Sequence, residues 1–134
     1  MGENPPSAKD AKAFIALFDK FQSEDAKEAL AYLLMAFSRL NGCYCEPHSH
    51  GYMSSLRIID GTDWCFAFSP ARNWVLAYIR PPGLQKNRIL VADLQMELPH
   101  AEDRGDDHLT VRIGDADQAQ VFYRFIARSR NFAM

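Results

Sequence analysis

Eight consecutive residues, Cys43-Tyr44-Cys45-Glu46-Pro47-His48-Ser49-His50, hold two of the three cysteines and two of the four histidines of the chain. Thiolate and imidazole are the ligands that Zn²⁺ and other borderline-soft metals select. In an extended chain residues i and i+2 share a face, so Cys43 with Cys45, and His48 with His50, make two potential claws around Pro47. One reading is therefore a zinc- or iron-binding enzyme or regulator. Cys43, Cys45, His48 and His50 would be its ligands and Glu46 or Asp106 its base. The spacing argues against this reading, because the usual zinc modules separate two ligand pairs by about a dozen residues or more. The competing reading is a polar loop after a helix, with the cysteines packed as small apolar groups.

Two further groups of residues could carry function. His100, Glu102, Asp103, Asp106, Asp107 and His108 offer hard ligands for Ca²⁺ or Mg²⁺, but without EF-hand order. A solvated hairpin loop is the simpler expectation there. The aromatic set Tyr52, Trp64, Phe66, Phe68, Trp74 and Tyr78 is the more promising. Tyr and Trp combine a large apolar body with a polar tip, which suits a pocket or an interface. Basic residues do not cluster beside these rings in the sequence, so nucleic-acid stacking is not expected. Nucleophile arrangements and glycine-rich phosphate loops are absent from the pattern. Cys65 stands alone among aromatics and reads as inert.

Composition bounds the alternatives. The chain has 134 residues, 48% of them hydrophobic, and a formal net charge of −2. That is one domain's length with enough apolar content for a core. The charge balance gives no reason to expect nucleic acid or an anionic membrane surface. No apolar run approaches the roughly 20 residues needed to span a bilayer. The first residues do not pair a basic region with an apolar one, as a secretory signal would. With an odd cysteine count, a cytoplasmic location is the expectation.

The elements that must position these residues follow from periodicity. Residues 1–6 read as a disordered tail, and residues 7–134 as a single α+β domain. Ser7 and Asp10 suggest a helix start, and Ala11, Phe14, Ile15, Phe18 and Phe21 form a stripe at helical spacing. Ser23 caps a second helix, with Glu24 and Asp25 suited to its N-terminal dipole. Ala26, Leu30, Leu33, Leu34, Phe37 and Leu40 continue that stripe, and Asn41-Gly42 stops it.

From Tyr52 the period changes to two. Strands are expected over 52–59, around Trp64–Phe68, over 74–80, over 88–98 and around Leu109–Ile113, with Asp60-Gly61 as a hairpin turn. In the 88–98 segment Leu90, Ala92, Leu94, Met96 and Leu98 alternate with Asp93, Gln95 and Glu97. Across strands, Glu97 and Asp93 would pair with Arg57 or Arg112. Asp115 with Gln118 opens a closing helix bearing Ala119, Phe122, Phe125 and Ile126.

The predicted fold is α+β: an N-terminal helical hairpin, a five-stranded antiparallel meander sheet and a C-terminal helix packed on the sheet. The 74–80 strand is apolar on both faces, so it should be central and covered on both sides. If the sheet curls strongly, His48, His50, Arg72, His100 and His108 would share a cleft at one sheet end. The expected function is a small non-catalytic domain. It would bind a protein partner or a small ligand through an aromatic sheet face containing Tyr52, Trp64, Arg72, Trp74 and Tyr78, and a second copy of the chain is the favoured cover for that face, making a homodimer.

Overall fold

The structure, a computed structural model, describes residues 8–50 and 53–133. The expectations for residues 1–6, Ser7 and Tyr52 fall outside the described residues.

Two helices open the chain, α1 (Ala8–Phe18) and α2 (Glu24–Ser38). Ser23 caps α2 as its type requires: its hydroxyl accepts from the Ala26 backbone N–H at 3.2 Å. The buried stripe of α1 is Phe14 and Leu17, while Ile15, assigned inward from its spacing, is 61% exposed. Four strands follow in order: β1 (Cys43–His50), β2 (Met53–Asp60), β3 (Asp63–Pro70) and β4 (Val75–Ile79). The helices α3 (Pro81–Asn87) and α4 (Val91–Glu97) come next. The hairpin of β5 (Glu102–Gly105) and β6 (His108–Ile113) and the long α5 (Ala116–Ala133) close the chain.

The strands form one six-stranded antiparallel sheet in the order β1-β2-β3-β4-β6-β5. The chain is thus α+β, with N-terminal helices and a C-terminal helix on the sheet. It has one strand more than the sequence predicts, and the meander is interrupted where α3 and α4 connect β4 to the far edge.

Two local predictions fail for identifiable reasons, and a third segment, the expected solvated hairpin, is more regular than its loop reading. Residues 88–98 are not a strand. Pro81 and Pro82 sit at the first positions of α3, where a missing N–H costs nothing. In α4 the helical spacing wins: Leu94 and Leu98 are buried, while Leu90 and Met96 are 64% and 84% exposed. Over so short a window both periods fit the letters. Second, Cys43–His50 is a strand and not a loop. Pro47 argues against a strand in general but is tolerated here because β1 is an edge. Third, the acidic loop is the β5–β6 hairpin. Asp106 and Asp107 turn it with φ of 52° and 59°, the geometry that fits the twist of a tight hairpin.

All five helices contribute to one hydrophobic cluster against the inner sheet face. Phe37 of α2 is its hub, with ring centroids of Phe66, Phe68 and Tyr123 between 5.1 and 5.5 Å away. Inward residues of β4 are Val75, Ala77 and Ile79, each 0% exposed. At the end of the sheet, the buried Asp60 carboxylate is forked by Arg130 of α5, and Lys86 of α3 donates to the Asp60 carbonyl at 3.1 Å. These contacts tie α3 and α5 to the β2–β3 turn.

One irregularity in the sheet matters later. Ile58 pairs with Phe66 but Ile59 pairs with Trp64, so Cys65 is an extra residue on β3. Cys65 and Phe66 are both buried in the core, and α3 packs on the bulge. A Cβ on Gly83 would lie 2.7 Å from the Cys65 carbonyl oxygen. Gly83→Ala should therefore destabilise the fold by about 1–3 kcal/mol through overpacking. The expected readout is a lower urea midpoint at unchanged slope. An unchanged midpoint would show that α3 does not seat this closely.

Candidate functional site

The strand pleat divides the octet. Cys43 and Cys45 pack against the core, and the Cys45 thiol donates to the Leu34 carbonyl at 3.6 Å. Glu46 and His48 alternate to the other face of β1. The side chain of His50 is outside the described residues. The cysteine pair and His48 are thus on opposite faces of one strand. Among the described residues no group of three His, Cys, Asp or Glu side chains converges as a metal site. No disulfide links the three cysteines.

The histidines and Arg72 do not gather. β1, bearing His48, is one edge of the sheet, and β5, which follows His100, is the other. His108 opens β6 at the end paired with Ile79, away from the Arg72 turn that precedes Val75. Arg72 is exposed, and its carbonyl accepts from the Gln22 and Ser23 backbone N–H groups at 2.8 and 3.3 Å. Its observed contacts are therefore with the α1–α2 junction. His100 lines a small cleft of about 230 Å³ with Leu98, Val111, Arg112, Asp117 and Val121.

The aromatic set divides by face in the same way. Phe66 and Phe68 are core. Trp64, Trp74 and Tyr78 are half-buried and project to the outer face, as do Leu76 of β4 and Arg80, the residue that follows β4. β4 is central, between β3 and β6. Its inner face is covered by helices, whereas its outer residues are not fully buried. The expected cover on both sides is therefore absent among the described residues.

Arginines accompany these rings, contrary to the sequence reading. The guanidinium carbon of Arg57 lies 3.7 Å from the Trp64 ring centroid and that of Arg80 lies 3.9 Å from it. Two planar cations this close cannot share one ring face, so the indole stands between them. Arg112 lies 4.6 Å from the Trp74 ring centroid. Each stack is a cation–π contact worth about 0.5–2 kcal/mol, depending on desolvation. Trp64 Nε1–H donates to the Phe66 carbonyl at 2.9 Å, and Arg80 Nη1 donates to the Trp64 carbonyl at 2.8 Å. Both bonds hold the first stack in place.

The sequence conceals this clustering because it is made by register. Arg57, Trp64 and Arg112 come from three different strands, and Arg80 is the residue between β4 and α3. The Cys65 bulge restores Trp64 to the outer face beside Ile59, and so beside Arg57. Glu97 and Asp93 do not reach these arginines across strands; Glu97 pairs with Arg128 of α5.

The outer face holds no activated thiol. Burial pushes the Cys65 thiol up from its ordinary 9.0 to about 11, with a further push from the nearby Asp60 charge. Burial does the same to Cys43, again to about 11. The sign for stability follows for Cys65. Its unfolded thiol ionises near 9.0 while the folded one stays protonated to about 11. Its contribution is therefore intact below pH 9.0 and is lost as pH rises through that window. Urea titrations from pH 8 to about 11 should show falling stability, and Cys65→Ala should flatten the fall relative to its own value at pH 8. An identical slope in the variant would contradict the buried thiol.

No helix among the described residues is long and apolar enough to cross a membrane. Comparisons with protein-family models, curated proteins and solved structures gave no match to the chain.

Proposed function

We propose that this is a non-catalytic binding domain that engages a protein partner through its outer sheet face. The single observation behind this reading is the composition of that face. Trp64, Trp74, Tyr78 and three stacked arginines occupy the sheet face opposite the hydrophobic cluster that the helices share. Trp, Tyr and Arg are the residues that carry most binding energy at interfaces, because they bury large area at small entropic cost. Stacking immobilises the arginines before a partner arrives, which lowers the ordering cost of association.

A second copy is the less favourable occupant. A two-fold interface sets a patch against itself. Here Arg57, Arg80 and Arg112 of each copy would approach the same set, and like charges facing across an interface are costly.

The chain has only two tryptophans, and both are on this face, so intrinsic fluorescence reports on it directly. Random peptides would be displayed and selected against the purified protein, then titrated by tryptophan emission. Selected peptides should lose about tenfold or more in affinity to Tyr78→Ala, and Leu76→Asp should act likewise. Peptides that bind both variants as well as the wild type would place recognition elsewhere. Sedimentation as a dimer that Leu76→Asp dissociates would assign the face to self-association instead.

A further inference from the structure

Resting on the reading of the outer face as a binding surface, we infer that its occupant is a short extended acidic peptide segment. Carboxylates of that segment would be forked by Arg57, Arg80 and Arg112.

Two sets stand out among the described cations; the exposed Lys12, Lys20, Arg39, Arg72, Arg88 and Arg124 belong to neither. Lys27, Lys86, Arg104, Arg128 and Arg130 each have a carboxylate partner. Arg57, Arg80 and Arg112 have none among the described residues; their guanidinium carbons lie instead 3.7, 3.9 and 4.6 Å from indole ring centroids. A guanidinium stacked on a ring directs its N–H groups sideways to acceptors; Arg80 already gives Nη1 to the Trp64 carbonyl and keeps its other donors. Such donors match a carboxylate bidentately. Arg57 shows the shortfall most plainly. Its Nε is buried and has no acceptor among the described residues. A buried donor without an acceptor is unfavourable, so the protein alone does not satisfy this guanidinium.

The rest of the face limits the shape of the occupant. Across the register, one outward row runs Glu46, Arg57, Ala67, Tyr78, Thr110 and Glu102. Its interior carries Arg57 and Tyr78, while its ends are Glu46 and a Glu102 that is paired with Arg104. A long polyanion laid across the sheet would meet the Glu46 carboxylate at one edge. A segment with two or three acidic residues ends before it. In an extended peptide, side chains at i and i+2 lie roughly 6.8 Å apart on one side. That spacing suits two forks held on opposite faces of a single indole.

A nucleic-acid strand fits the same positive charge less well. Base recognition on a sheet needs open aromatic faces. Both faces of Trp64 are occupied by arginines, and its N–H is spent on Phe66. The chain as a whole carries a net charge of −2, which opposes the long-range attraction that phosphate binding uses.

The test is a tryptophan-emission titration with three defined probes. These are a terminally blocked octapeptide alternating Glu and Thr, the same peptide with Lys for Glu, and an oligothymidylate of equal length. The Glu peptide should bind saturably and weaken as salt rises. Arg112→Ala should lower its affinity about tenfold. Arg57→Lys and Arg80→Lys keep the charge but lose the fork, and each should lower affinity by a smaller factor. Circular dichroism and urea midpoints would show which variants remain folded. Equal or tighter binding of the Lys peptide or the oligothymidylate would overturn the inference, as would Glu-peptide binding indifferent to all three variants. Selected neutral peptides that still respond to Tyr78→Ala would retire the acidic preference while leaving the face as the binding surface. Loss of both responses would retire both.

Discussion

Alternation of side chains through one pleated sheet governs what this protein can present to a partner. On β4 the pleat sends Val75, Ala77 and Ile79 into a core shared with all five helices. It sends Leu76 and Tyr78 the other way, and Trp74 and Arg80, which flank the strand, follow them. A one-residue slip would exchange the two sets and expose the core. The burial of Phe66, Phe68 and their partners around Phe37 therefore locks the outer face as firmly as it locks the inner one. The outer-face residues need no separate scaffold, because they are the reverse side of the core strands.

The bulge at Cys65 is the one local departure from that rule, and the arginine–tryptophan stack depends on it. Without the extra residue, Trp64 would share the inward parity of Phe66 and Phe68. With it, Trp64 stands between Arg57 and Arg80 on the outer side. The bulge in turn accommodates the approach of α3, where Gly83 leaves room for the Cys65 carbonyl. A backbone contact on the helix side thus helps to set a side-chain stack on the opposite face.

The fold class was legible because it rests on long apolar patterns. The stripe Ala26, Leu30, Leu33 and Phe37 fits a helix, and the short apolar run from Trp74 to Ile79, rich in aromatic and β-branched residues and bounded by turn residues, fits a buried strand. The element boundaries that were missed are short and ambiguous. Leu90, Ala92 and Leu94 fit a strand as well as a helix, and Pro47 disguised an edge strand. Half of the site was legible too: Trp64, Trp74 and Tyr78 stand out by type. Their arginines did not, because they are distant in sequence and meet only through strand register. The octet drew attention by composition, yet its cysteines and His48 part company at the first application of the two-residue period.

The central claim is that both tryptophans share a surface made electropositive by unpaired guanidiniums. Quenching of tryptophan fluorescence by iodide and by caesium, at matched ionic strength, measures that charge directly at the rings. The account predicts that anionic iodide quenches markedly better than cationic caesium. The difference should shrink when Arg112 is replaced by Ala. Equal quenching by the two ions, or stronger quenching by caesium, would contradict it.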